Sequence, residues 1–68
     1  MQKWKLEVIT RHGPSEVGEY TTERVPGLGE TVVYMSDGLV VHQVRWFVMG
    51  PPVVVVGPSG VTRLEDIP

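Results

Sequence analysis

Two histidines, His12 and His42, are the only imidazoles in this 68-residue chain, and there is no cysteine. Nucleophilic catalysis of the triad type needs a base beside a nucleophile and a third group that orients the base. No Ser, Asp or Cys stands at a spacing from either histidine that suggests such a set. His12 lies in "RHGP", a turn-rich stretch, and reads as a solvated loop residue. His42 reads as a partly buried histidine with one hydrogen bond; a pH-dependent interface is the sharper alternative, because imidazole titrates near neutrality. The carboxylates Glu16, Glu19, Glu23, Glu30, Glu65 and Asp66 are scattered. Nothing in the spacing fixes two of them at the separation that glycoside or metal chemistry requires. Without thiolates, and with two histidines, a structural zinc cage is excluded. The glycines of "VPGLGE" run into Glu30 where a phosphate loop would place Gly-Lys-Ser/Thr, and a carboxylate there repels phosphate. The chemistry therefore points away from an enzyme, with no cofactor and no metal.

The residues must be positioned by strands. Alanine and asparagine are absent and valine is the commonest residue, so the best helix former is missing and β-branched side chains dominate. Lys3 to Thr10 alternates, with Trp4, Leu6 and Val8 on one face and Lys5 and Glu7 on the other, as in a half-buried strand. Residues 11–18 read as a loop and residues 19–25 as a second strand. Pro26-Gly27 suits the central positions of a type II turn. "VVVV", residues 53–56, reads as a short strand buried on both faces, with Pro51, Pro52 and Pro58 as guards against open-ended pairing. A last short strand or helical turn is expected around Val61 to Leu64. The whole is expected to be one all-β domain, residues 1–68: five or six antiparallel strands in a small curled sheet or partly open barrel.

The stretch "VVYMSDGLVVHQVRWF", residues 32–47, reads as a hairpin with Asp37-Gly38 as its two-residue turn. That register pairs Tyr34 with Val41 and Glu30 with Arg45. One face then holds Thr31, Val33, Met35, Val40, His42, Val44, Trp46 and Val48, and is expected to be core. The other holds Glu30, Val32, Tyr34, Val41, Gln43, Arg45 and Phe47. Either this second face is an exposed apolar strip, which on a small protein marks a contact site, or another part of the chain buries it. Tyr and Arg are among the types enriched at interface hot spots, so Val32, Tyr34, Val41, Arg45 and Phe47 are the candidate protein-binding residues.

From Val25 to Trp46, proline and glycine before Glu30, a valine pair, an Asp-Gly hairpin and a long strand ending in an aromatic are similar to many small uncharacterised bacterial and bacteriophage proteins. The resemblance implies a Src-homology-3-like (SH3-like) barrel. It implies a fold more than a function, because this architecture hosts unrelated activities. For a phage-encoded member it also implies a role in binding and modulating a host protein.

Net charge is −2, and the six basic residues are spread along the chain. A binder that relies on a dense basic surface is thereby disfavoured. Lys3, Lys5, Arg11 and His12 remain as one local patch for a single-stranded nucleic-acid-binding alternative, since small barrels use aromatics and a few cations in that way. A third reading holds a small molecule in an oligomer interface between Trp46, His42 and the arginines. Charges at alternate positions in "MQKWKLEVIT" break the apolar run that a secretory signal needs, and no apolar stretch reaches membrane-span length. The expectation is a cytoplasmic, non-enzymatic protein-interaction module that binds another protein or itself.

Overall fold

The computed structural model describes residues 1–10 and 12–58. Arg11 and the element expected around Val61 to Leu64 lie outside the described residues. Five strands form one sheet: β1 (Gln2–Thr10), β2 (Gly13–Thr22), β3 (Thr31–Tyr34), β4 (Asp37–Arg45) and β5 (Val53–Gly57). Their order is β2-β1-β5-β4-β3, and the sheet is strongly curled into a half-barrel with no helix among the described residues. The all-β, partly open barrel expected from the sequence is thus present.

The sheet is mixed rather than purely antiparallel, and the cause lies in the four valines. Val54 and Val56 are fully buried, Val53 and Val55 nearly so. A strand apolar on both faces belongs in the middle of a sheet, and β5 occupies that place. Its neighbours β1 and β4 run in opposite senses, so one ladder has to be parallel: Lys5 to Val8 pair in parallel with Val53 to Val56. Being central, β5 offers no open edge beside the valine run; the edges of the sheet are β2 and β3.

The concave face carries the core. Trp4, Leu6, Val41, Val54 and Val56 form its buried cluster, with Val8, Val17, Val25, Val32, Tyr34, Leu39 and Val44 packed against it. Two bulges build this surface. In β2 the register shifts opposite Leu6/Glu7, which turns Val17 toward the cluster. In β4 it shifts between Val41 and Gln43, so that Val41 faces Val56 and Val44 faces Val54. An extra residue re-aims every side chain beyond it. Trp4 stacks on Tyr20 with ring centroids 5.2 Å apart, and its indole N–H donates to Thr22 Oγ1 at 2.9 Å.

The loop expected over residues 11–18 is mostly strand: Thr10 pairs directly with Gly13. The turn expected at Pro26-Gly27 falls later. Glu30 N–H donates to the Gly27 carbonyl at 3.1 Å, which places Leu28 and Gly29 at the centre. Gly29 has φ +81°, the left-handed position that a type II turn reserves for glycine. Glu30 locks this turn, accepting from Gly27 N–H at 2.7 Å and pairing with both guanidinium nitrogens of Arg24.

Those contacts hold the Glu30 carboxyl at about 2, below the ordinary 4.5, chiefly through the Arg24 hydrogen bonds and then through Gly27 N–H. A carboxyl depressed on folding contributes stability above its unfolded value and loses it as pH falls toward the folded one. Acid titration of thermal stability is therefore expected to show a loss between about pH 4.5 and 2 that Glu30→Gln removes. An unchanged acid limb in Glu30→Gln would show that the pair contributes nothing.

Candidate functional site: an exposed apolar loop

The hairpin turns at Met35-Ser36, not at Asp37-Gly38. Tyr34 pairs with Asp37, Val32 with Leu39 and Thr31 with Val40. Both turn residues have positive φ, 50° and 70°, the backbone that matches the twist of a two-residue hairpin. The slip is even, so near the turn the same residues still share a face. What inverts is which face is inward. Val41 is 2% exposed and Val32 and Tyr34 pack on the cluster, whereas Val33 and Met35 are 74% and 79% exposed. Three of the four apolar members of the expected binding strip, Val32, Tyr34 and Val41, therefore belong to the core.

Arg45 and Phe47 differ. Arg45 is exposed and donates to Glu7 Oε1 at 2.5 Å rather than pairing with Glu30. Because β1 and β4 flank β5, this ion pair spans the outer side of the central strand, above Val53 and Val55. The stems of such long side chains shield apolar surface while their charges stay wet. Phe47, expected on the binding strip, is 52% exposed, and its neighbours Trp46 and Val48, expected in the core, are exposed with it. Trp46, Val48 and Met49 are 68%, 105% and 88% exposed. Four consecutive apolar side chains thus project from the connection between β4 and β5.

The local sequence explains why. Gly50 adopts φ +94°, and Pro51 and Pro52 cannot donate to a ladder. The chain has to leave the sheet before them, and the apolar residues preceding Gly50 leave with it. This stop signal was present in the sequence, but face counting that ran on through Trp46 and Val48 credited them to a strand that ends at Arg45.

The expected basic patch is divided. Lys3 lies 3.7 Å from Glu19 and Lys5 3.5 Å from Glu16, so both cations are offset by carboxylates. Exposed His12 follows the far end of β1, roughly 23 Å from Lys3 at the rise of a strand. Arg11 lies outside the described residues. His42 is half-buried on the outer face, with Nε2 3.3 Å from the Pro58 carbonyl. Its ring lies over Gly57, where an added Cβ would stand 3.2 Å away. The residues suggested for a small-molecule site are thus spread out, His42 and Trp46 being about four strand residues, or roughly 13 Å, apart. Two open surface depressions, about 510 and 280 Å³, are lined by the Lys5–Glu16 and Arg24–Glu30 pairs respectively. Among the described residues no group of three or more His, Cys, Asp or Glu is placed to hold a metal ion, and no helix is long and apolar enough to cross a membrane.

Comparison with known proteins finds no matching family, no matching curated protein and no matching solved structure.

Proposed function

We propose that the chain is a non-enzymatic protein-interaction module whose contact element is the apolar loop Trp46 to Met49, with Arg45 at its base. The observation that supports this reading is the run of four consecutive apolar side chains, each more than half exposed; the other exposed large apolar residues among those described, Met1, Tyr20, Leu28, Val33 and Met35, stand singly in the sequence. Exposing such a run opposes solubility, and patches of this kind mark contact sites. Trp and Phe are also the side chains that make interface anchors.

The test compares the wild-type chain with the double variant Trp46→Ser/Val48→Asp. Both substituted positions are on the surface, so both proteins are expected to fold alike. The wild type is expected to hold a protein partner, another copy or a different chain, with little dependence on salt, and the variant to lose it. A complex retained in full by the variant would overturn the reading. Retardation of single-stranded DNA or RNA that falls steeply with salt would move the assignment to nucleic acid, whose binding is governed by counterion release.

A further inference from the structure

We infer that the occupant of the Trp46 to Met49 loop is a second copy of the same chain, joined across a two-fold axis that brings the two loops together. The inference rests on the proposed contact role of this loop and names its partner.

Three observations carry it. The first is area: with exposures of 68%, 52%, 105% and 88%, the four side chains and their backbone present on the order of 600 Å² per copy. Apposed across a two-fold axis, two such loops remove at most about 1,200 Å², the lower bound for a stable interface, so the interface has to extend onto the adjoining edge. The second is the adjoining edge of the sheet. β3 pairs with β4 only from Asp37 to Val40, and Gly29 and Glu30 bond to Val41. Beyond that point Gln43, Val44 and Arg45 pair with β5 alone, so among the described residues their outer side has no strand partner. An open edge leading into an apolar run is a template for pairing, and a two-fold operation presents the same segment to itself in antiparallel sense.

The third observation concerns the core. Among the described residues a single curled sheet buries seven hydrophobic residues, and the chain has no cysteine to form a disulfide. A core this small rarely supplies more than about 3–5 kcal/mol, and association is one of the ways in which small folds supplement it. Charge does not oppose the pairing. Arg45, the charged residue adjoining the loop, is already neutralised by Glu7, so two copies meet with apolar residues foremost.

The experiment is sedimentation equilibrium on the full chain from about 1 μM to 1 mM, the range over which weak interfaces dissociate. It is joined to a crosslinking assay that exploits the absence of native cysteine. The expected result is a reversible shift from 7.5 kDa to twice that mass, weakened by more than about tenfold in Val48→Asp, as for loss of an anchor, with an unchanged far-ultraviolet spectrum. Val48→Cys is expected to form an intermolecular disulfide readily, and Ser15→Cys, at the start of β2, to form it slowly. A wild type that stays monomeric throughout this range overturns the inference, as does a dimer unaffected by Val48→Asp and unlinked through Val48→Cys. If that monomer still captures a different protein, or sediments with zwitterionic lipid vesicles, through Trp46 and Val48, the self-association inference falls while the loop keeps a contact role. If Trp46→Ser/Val48→Asp changes no interaction of any kind, the proposed function falls with it.

Discussion

Val41→Asp is expected to abolish folding, and Val33→Asp to leave it intact. Both valines lie in the same hairpin and look interchangeable in sequence, yet Val41 is 2% exposed within the core cluster and Val33 is 74% exposed on the opposite face. A carboxylate at Val41 would be buried without a cation to meet it, and an uncompensated buried charge costs several kcal/mol. A core of this size supplies about 3–5 kcal/mol in all, so the folded population should collapse. At Val33 the carboxylate stays in water, and the cost is the reduced strand preference of aspartate, below about 1 kcal/mol. Circular dichroism with urea titration reads both. The opposite ranking would show that the hairpin presents its other face to the core.

The second large effect is expected at Leu6→Ala. Leu6 is 1% exposed, in the parallel ladder opposite Val54, and is surrounded by other members of the cluster. Truncating a buried leucine loses its transfer free energy and leaves a cavity, together about 2–5 kcal/mol. That is most of what the chain has, so the thermal midpoint should fall to near room temperature or below. Collapse of the site is hindered because its neighbours are β-branched valines with few alternative rotamers. A loss below about 1 kcal/mol would mean that the concave face is loosely filled and that β5 is not anchored there.

The strands were largely legible because their signals are local. Alternation marked β1, the valine run between prolines marked β5, and β-branched composition marked the class. The two-sided burial of Val53 to Val56 was legible for the same reason, since four apolar residues in succession admit no polar face. Less legible was everything decided by long-range pairing. The bulge between Val41 and Gln43 is set by how β4 meets β5, and nothing in residues 41–43 announces it. Counting alternation straight through that point put Val44 with Val33 and made the solvent face look like core. Asp37-Gly38 carries the stronger local turn preference, yet the chain reverses at Met35-Ser36, which sets Leu39 directly opposite Val32 within the ladder instead of beside the turn. Apolar packing over the sheet outweighed the preference of two residues for a turn. Of the loop Trp46 to Met49 only Phe47 was expected on the binding strip, because the same counting ran the strand on past Arg45, although the prolines after Gly50 set a limit to it. Arg45 was recognised as an ion-pair former, but its partner Glu7 lies in β1, beyond the reach of any hairpin argument.

The parallel ladder between β1 and β5 has a consequence for how the molecule comes into being. Lys5 must meet Val53, and until it does, β1–β2 and β3–β4 are two hairpins without a common surface. Isolated hairpins have little stability of their own, and closure over so long a separation is slow. A nascent chain therefore gains no foothold from its first half: it has to stay unstructured until Gly57 has left the ribosome, and then acquire its shape in one step. Such a protein is exposed to chaperones and proteases during that interval, and its yield in the cell is governed by β5, the most C-terminal of the described strands, rather than by β1.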